Sequence, residues 1–341
     1  MLNSGRWCTF NVHFSLNHFA SDAFNCAVNC AVNYFVKCFV KCFVKYFVNH
    51  AVIAQRLWVL LMLGVSVQLP AHALPTPEPA PAERIIALAP HLVENLYSIG
   101  AGDKIVGTID YADYPAEALT IPRVGSFHGL NFEQIVALKP DLILAWHSGT
   151  AAADIAKLQR LGLPVVVSQV DTLADVATHL RQLGELTGLH ASANQQAQRY
   201  LQQLTALQQQ YQNAAAIAAF YELWGTPLTT VAQQAWPAQQ LAICRVDNIF
   251  ASASAQYPQV NIEQVLSHAP ALIIQPTSTS EPRELVNWSQ WPGIPAVKMN
   301  AIVRPNADAL HRSTMRMLDE LTKLCQQIEK IRARSSSRAA Q

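Results

Sequence analysis

The chain has 341 residues, of which 51% are hydrophobic and 14% charged, and its formal net charge at pH 7 is +1. Without residues 1–73 it carries 19 Lys and Arg against 22 Asp and Glu, a net charge of −3. This balance argues against a nucleic-acid-binding protein, and the roughly 260 residues that remain are enough for one large or two medium lobes.

The front of the chain has a four-residue period. Residues 26–49 run through variants of Cys26-Ala27-Val28-Asn29 and Cys38-Phe39-Val40-Lys41. Solenoid repeats are about 20–50 residues long and coiled coils use heptads, so the pattern fits neither. We interpret residues 1–51 as a translated upstream DNA repeat, caused by a start site set too early. The alternative is an amphipathic segment at a membrane surface.

An export signal is predicted next. Arg56 precedes the apolar run Leu57–Val67, which ends near Ala71-His72-Ala73. A positive residue, an apolar stretch of this length and an A-x-A site predict a secretory signal peptide over 52–73. No cysteine follows directly, so we expect no lipid anchor. Residues 74–83 are rich in proline and predict an extended, disordered tether. The protein is therefore expected in the periplasm.

The cysteines divide between the front and the rest of the chain. Five of the seven lie in residues 1–50, which leaves Cys244 and Cys325. An even count in an exported chain favours one disulfide. The alternative is two unpaired thiols in the core.

Short apolar strands alternate with helices over residues 84–171, which we interpret as an N-terminal lobe. Strands are predicted at 84–88, 104–108, 141–145 and 165–167, and helices at 93–99 and 151–161. Strands that alternate with helices indicate a parallel sheet covered on both faces.

Residues 172–213 contain no proline and are rich in Ala, Leu and Gln. They predict one long helix, or two in line with a break at Gly184 or Gly188, crossing between two lobes. A C-terminal lobe over 214–333 follows. It is predicted to have strands at 215–223, 271–275 and near 296–299, a helix at 237–243 and a terminal helix at 310–331. Residues 334–341 are expected to be a frayed tail.

A repeated phrase supports the two-lobe interpretation. Asn131–Leu144 and Asn261–Ile274 each give a short helix, a proline stop and an apolar strand. Each copy has one glutamate just inside the helix start, Glu133 and Glu263. An acidic residue there is favourable to the helix dipole. Two equivalent acidic points also suggest a partner that contacts both lobes at once.

Several phrases of the first lobe resemble the periplasmic vitamin B12-binding proteins of ABC importers, within a group that also binds siderophores and haem. These phrases are Tyr111-Ala112-Asp113-Tyr114-Pro115, Gly129-Leu130-Asn131-Phe132-Glu133, Ala137–Ile143 and Ala145-Trp146. The resemblance runs from Arg84 to about Gln327. It implies an α/β fold in which two similar lobes with mainly parallel sheets are joined by a single long helix, with the ligand held between them.

The resemblance also implies partners and a disulfide. The expected ligand is cobalamin or a related corrinoid, bound by a monomer without a cofactor, a metal or catalysis. The expected partner is the dimeric pair of membrane subunits of an ABC importer, whose arginines would meet Glu133 and Glu263. The family has cysteines at the places of Cys244 and Cys325, so the resemblance implies a bridge that pins the last helix to the second lobe.

Aromatic residues at predicted strand ends are the candidate ligand contacts: Tyr111, Phe127, Trp146, Trp224 and Tyr257. Ligands of α/β sheets gather at the carboxyl ends of strands, and a macrocycle needs aromatic walls. The alternative is that each ring fills the core of its own lobe. His128 and His147 are expected to touch polar edges of the ligand.

The sequence leaves other functions open. His91, His128, His147 and His311 could together bind Zn²⁺ or Mn²⁺, although their spacing is not diagnostic. An iron-siderophore or haem carrier is the alternative within binding proteins. Siderophore sites need several arginines, and the candidates here are Arg123, Arg283, Arg304 and Arg312. A periplasmic metal chaperone or hydrolase is the alternative from another class, although the sequence has no catalytic motif such as G-x-S-x-G or HExxH.

Overall fold

The computed structural model describes residues 80–126, 128–280 and 284–339. The interpretations of residues 1–51 and 52–73, the first part of the 74–83 tether, and Phe127 lie outside these ranges. Among the helices of the described ranges, none is long and apolar enough to cross a membrane.

The strands of the described residues are β1 (Ile85–Ala87), β2 (Ile105–Thr108), β3 (Gly125–Ser126), β4 (Gly129–Leu130), β5 (Leu142–Trp146), β6 (Val165–Ser168), β7 (Ile217–Tyr221), β8 (Trp224–Gly225), β9 (Leu228–Thr229), β10 (Val246–Asn248), β11 (Leu272–Ile274) and β12 (Ile302–Val303). The helices are α1 (Pro90–Ile99), α2 (Phe132–Ala137), α3 (Ala152–Arg160), α4 (Asp175–Thr187), α5 (His190–Tyr211), α6 (Trp236–Ile243), α7 (Ile262–His268), α8 (Pro295–Lys298), α9 (Ala307–Leu310) and α10 (Met315–Ala339).

The first lobe is built on a parallel sheet in the order β2-β1-β5-β6. In β1, Ile85 and Ala87 join one buried cluster, whereas Ile86 joins another together with Leu88, which follows the strand. Successive side chains of a strand point to opposite faces, so a continuous apolar run needs cover on both. The predicted parallel sheet with two covered faces is confirmed.

The second lobe repeats this plan with a parallel sheet in the order β10-β7-β11-β12. The strand predicted near 296–299 is wrong, because Pro295–Lys298 forms α8 and the strand is Ile302–Val303. Proline at the first helical position has its φ preset for a helix and needs no hydrogen bond there. Pro295 therefore begins a helix in a short apolar run that could also be read as a strand.

The segment between the lobes is two helices, and α5 is the long helix that leads into the second sheet. Gly188 has a φ of 73° and ends α4, so the break predicted there is confirmed. Gly184 lies inside α4, where an added Cβ would collide with the Cβ of Ala193 on α5. Gly184 lies shortly before the link between the two helices, and Ala193 lies shortly after it. Because these two residues are in contact, the chain turns back at the link and the helices lie side by side. The alternative of two helices in line is wrong.

The last helix continues further than predicted. The segment expected to form one helix over 310–331 contains the end of α9 and most of α10. Helix α10 continues through residue 339, so the prediction of a frayed tail over 334–341 is wrong for most of that range. Ser335 Oγ donates to the Ile331 carbonyl and also contacts Met299 Sδ at 3.8 Å. The contact with Met299 attaches this part of α10 to the rest of the second lobe.

A disulfide joins α10 to α6. Cys244 caps the C-terminal end of α6 and is bonded to Cys325, with a Cα–Cα distance of 5.1 Å. The alternative of two unpaired thiols is therefore wrong. Arg332, further along α10, donates to the carbonyls of Cys244 and Arg245. A guanidinium at a helix C-terminus satisfies carbonyls that the helix leaves free.

The predicted tether is bound to the lobe at its end. Ala82 is buried, and its N–H donates to the Leu186 carbonyl at 2.8 Å. The N–H of Glu83 donates to Asp141 Oδ2 at 2.9 Å. The expected disorder over 74–83 is therefore wrong for residues 82–83, because their backbone groups have partners on α4 and before β5.

Candidate functional site

A cavity of about 760 Å³ lies between the two lobes. Its walls come from segments that follow strands: Pro90 after β1, Tyr111 after β2, Trp146 at the end of β5, and Trp224 after β7. The carboxyl ends of parallel strands leave a crevice where loops diverge. Here the two sheets bring two such edges to one cleft.

Four aromatic side chains of this cleft are the predicted Tyr111, Trp146, Trp224 and Tyr257. Their exposed fractions are 41%, 38%, 37% and 45%. The alternative that these rings fill the cores of their own lobes is wrong. Large apolar rings gathered in one open cleft form a patch of the kind that marks an interaction site.

The turn after β5 supports the ring of Trp146. The backbone N–H of Trp146 donates to Thr150 Oγ1 at 3.0 Å. The indole ring lies so close to Gly149 that a Cβ at that residue would collide with it. On the other side, the ring of His91 meets that of Trp146 edge to face, with centroids 5.2 Å apart. Trp146 is thus held between a glycine turn and a histidine of α1.

His91 also lines the cleft but is buried. Burial lowers its pKa from 6.5 to about 3, and the nearby His179 and Arg312 act in the same direction. The imidazole is therefore neutral at pH 7. Its Nε2 atom is buried without a hydrogen-bond partner in the structure. A neutral ring can donate or accept a hydrogen bond, depending on its tautomer.

The second lobe adds a fixed carboxylate to the cleft. Burial alone would raise the pKa of Asp308, but hydrogen bonds from the Ser278 and Ser280 hydroxyls and from the backbone lower it to about 2. The Thr279 N–H donates to Asp308 Oδ2 at 3.0 Å. Asp308 therefore stays ionised and holds the loop beside it.

His311 and Arg312 follow α9 and also line the cleft. His311 Nε2 lies 2.7 Å from the hydroxyl of the buried Tyr221. Arg312 Nη2 donates to the Tyr111 carbonyl at 2.9 Å, and this contact crosses from the second lobe to the first. The polar groups of the cleft are thus few and mostly anchored by other protein groups.

The structure changes the expected ligand set. His128 and His147 are exposed and do not line this cavity, so their contact with a ligand stays a prediction. His147 directly follows Trp146, and adjacent residues at a strand end face opposite sides. Phe127 lies outside the described residues.

The structure also adds to that set. Trp236, Gln234 and Gln256 line the cleft and were missed. Trp236-Pro237 at the start of a predicted helix was the available signal, because a helix that begins at a sheet edge often opens towards the ligand.

The four-histidine metal hypothesis is not supported by this arrangement. His91 and His311 reach the cleft, whereas His128 and His147 do not. Within the described ranges, no three His, Cys, Asp or Glu side chains are grouped as they would be around a metal ion.

The two repeated glutamates have matching surroundings. Asn131 caps α2 by accepting from Gln134 N–H, and Asn261 caps α7 by accepting from Gln264 N–H. Glu133 and Glu263 follow in the first turns, and both are exposed. The internal repeat thus places one accessible carboxylate on each lobe.

Comparison with known proteins identifies the family. Residues 85–309 match the model of the family described as periplasmic binding protein. The chain belongs to this periplasmic binding protein family. A vitamin B12-binding protein of Vibrio parahaemolyticus is 35% identical over 253 residues, which are 74% of this chain and 91% of that protein. One of Vibrio cholerae is 39% identical over 252 residues, 73% of this chain and 90% of that protein.

Solved structures of the periplasmic binding protein family have the same architecture. The periplasmic vitamin B12 binding protein BtuF of Vibrio cholerae matches with a TM-score of 0.67 and 37% identity over 74% of this chain and 98% of that chain. The periplasmic heme-binding protein BhuT matches with a TM-score of 0.64 and 17% identity over 74% of this chain and 99% of that chain. At that identity the second match concerns the fold alone.

Proposed function

We propose that this periplasmic binding protein captures cobalamin or a related corrinoid in the periplasm and delivers it to an ABC importer. The observation that carries the proposal is the single cleft lined by Tyr111, Trp146, Trp224 and Tyr257, with rings from both lobes. A broad macrocycle offers two flat apolar faces, which such rings cover, and a polar periphery, which needs only a few fixed hydrogen-bonding groups. The names of the relatives at 35% and 39% identity support the same ligand class.

Delivery would use the two repeated glutamates. Glu133 and Glu263 are exposed in equivalent first turns, one on each lobe, and this suits contact with two equivalent basic sites on a dimeric membrane partner. Charge pairs at the rim of an interface mainly govern encounter and orientation. The binding protein itself would act as a monomer and without catalysis.

Calorimetry of the purified protein with cyanocobalamin tests the ligand. We expect saturable one-to-one binding, with haemin and Zn²⁺ as comparison ligands. If cyanocobalamin gives no binding whereas haemin does, the corrinoid proposal is wrong and the haem alternative takes its place. Binding of Zn²⁺ alone would favour the metal chaperone.

A further inference from the structure

Helix α1 presents a polar face to the second lobe. His91, Glu94, Asn95 and Ser98 recur at the i, i+3, i+4, i+7 spacing of one helix face, and the first three are buried. Asn95 Nδ2 donates to the Ser313 carbonyl at 3.0 Å, across the lobe boundary. Buried polar side chains need partners, and those of Glu94 and Asn95 come from the second lobe.

Glu94 is the centre of this stripe. Its Oε1 lies 2.8 Å from Arg312 Nη1 and 2.8 Å from Arg316 Nη2, and its Oε2 accepts from Thr314 Oγ1 at 3.0 Å. Arg312 Nη1 also lies 2.8 Å from Asp113 Oδ1. Two carboxylates of the first lobe thus meet two guanidinium groups of the second. We call Glu94, Asp113, Arg312, Thr314 and Arg316 the lobe clamp.

Residues of the lobe clamp line two cavities. Arg312 faces the ligand cleft, whereas Glu94 and Arg316 line a rear cavity of about 510 Å³ that is also bounded by both lobes. Glu94 does not line the ligand cleft. The clamp is thus a polar contact between the lobes, together with the hydrogen bond from Asn95 to Ser313.

The clamp also fixes a wall of the cleft. Tyr111 has a φ of 63°, a left-handed conformation that is uncommon for a tyrosine, and its carbonyl accepts from Arg312. Asp113, two residues later, binds the same guanidinium. Arg316 also lies over the Tyr114 ring, 4.1 Å from its centroid. The loop that carries the Tyr111 ring is therefore anchored to the second lobe by Arg312 and Arg316, and Glu94 binds both side chains.

We propose that Glu94 is a positioning residue: through Arg312 it holds the lobe orientation and the Tyr111 loop in the arrangement that binds the ligand, without touching the ligand itself. The inference rests on the proposed function for its ligand, but its structural part concerns the ligand-free protein. When only a fraction of the protein is in the competent arrangement, the apparent affinity is the intrinsic affinity multiplied by that fraction.

Hydrogen exchange of the ligand-free protein tests the structural part. We compare the wild type with Glu94→Gln, which keeps the shape and removes the charge, and with the milder Asp113→Asn. Faster exchange is expected at the amides of 111–113 and 312–316, with β1 and β5 unchanged. If both variants exchange at these amides as the wild type does, the clamp does not hold the loop and the proposal is wrong. This outcome does not depend on which ligand binds.

Stopped-flow binding of cyanocobalamin tests the functional part. Glu94→Gln is expected to weaken apparent affinity by about tenfold, in the usual range of coupling between sites, mainly through a slower apparent association rate. Glu117→Gln is the matched control, because Glu117 also borders the rear cavity but lies outside the clamp. Equal effects of both variants, or an unchanged affinity in Glu94→Gln together with altered exchange, would contradict the positioning role. Absence of cyanocobalamin binding by the wild type would instead contradict the proposed function.

Discussion

At the scale of single residues, the cleft combines exposed rings with anchored polar groups. Trp146 rests on a glycine turn and on His91, while Asp308 and Arg312 are engaged with other protein groups. Such support reduces the freedom that side chains lose when a ligand binds, which is a main cost of association. The aromatic rings should therefore contribute to affinity by direct contact with the ligand, and their side chains should not need to rearrange when it binds.

Replacing Trp146 by alanine should weaken cyanocobalamin binding by about 1–3 kcal/mol, as is common for large aromatic anchors. The loss is expected in the dissociation constant measured by calorimetry. Leu161→Ala is the control, because Leu161 is 49% exposed and does not line the cleft. Unchanged affinity in Trp146→Ala would remove this ring from the ligand site.

The buried histidines predict an acid-sensitive fold. Burial lowers the pKa of His91 to about 3 and that of His179 to about 4, from 6.5. Between pH 6.5 and 4 the unfolded chain binds more protons at these sites than the folded chain, so the free energy of unfolding falls as the pH falls.

His179→Gln should reduce this pH dependence by on the order of 2 kcal/mol between pH 6.5 and 4, measured by urea unfolding. Burial raises the pKa of Glu94 despite Arg316 and Arg312, and this gives a slope of the opposite sign. Glu94 is present in both proteins, so the difference between them reports the histidine. Parallel pH profiles would show that folding does not lower the pKa of His179, which would contradict this prediction.

The histidines also show what the sequence could not predict at this scale. His91 and His311 reach the cleft, and His128 and His147 do not, although all four occupy segments beside strand ends. Which side of a loop faces the ligand depends on backbone turns such as the one at Tyr111, and the residue types alone do not specify them. Four of the five aromatic residues predicted from the sequence line the cleft, and their contact with a ligand stays a prediction.

At the scale of elements, the apolar period predicted that the long helices exist, but not the bounds of α9 and α10. The predicted end of the first helix at residue 99 is confirmed, and Gly100 caps it with a φ of 90°. The short apolar run after Pro295 was assigned to the wrong element, and the hairpin of β8 and β9 was missed. Runs of two to four residues carry too little periodicity to separate helix from strand, so tertiary contacts decide.

Removing the disulfide should destabilise the second lobe. Cys244→Ser is expected to lower the free energy of unfolding by about 2–5 kcal/mol, because the bond closes a long loop in the unfolded chain. Urea unfolding of the variant is compared with the wild type, oxidised and reduced. Reduction should lower the wild-type midpoint and leave that of Cys244→Ser unchanged. Equal midpoints for oxidised and reduced wild type would contradict a stabilising bond.

At the scale of the whole molecule, the repeat around Asn131 and Asn261 was the strongest predictor of architecture. Each copy forms a capped helix followed by a central strand, β5 or β11, and the two sheets have equivalent strand orders. The lobe clamp was not predictable, because its members are some 200 residues apart in sequence: Arg312 is 199 residues from Asp113 and 218 from Glu94. The repeat thus predicts the lobes but not how they are held together.

Reversing both repeated charges should separate capture from delivery. Glu133→Arg combined with Glu263→Arg is expected to leave cyanocobalamin affinity unchanged and to abolish uptake and complex formation with the importer, because like charges would face each other. Calorimetry and a cell uptake assay measure the two properties. The same reversal at the exposed Glu185 and Asp247 is the control. Normal transport by the Glu133 and Glu263 double variant would rule out docking through these glutamates.

The disulfide has a consequence for the order in which the molecule is made. The four strands of the first sheet lie between residues 85 and 168, so their whole set is present early in a chain that emerges from its N-terminus. Cys244, by contrast, can form its disulfide only after Cys325, 81 residues later in the chain, has been synthesised. During that interval its thiol is open to exchange with other thiols or disulfides. The second lobe is therefore where an oxidative catalyst would act during maturation, after the first lobe already has all of its strands.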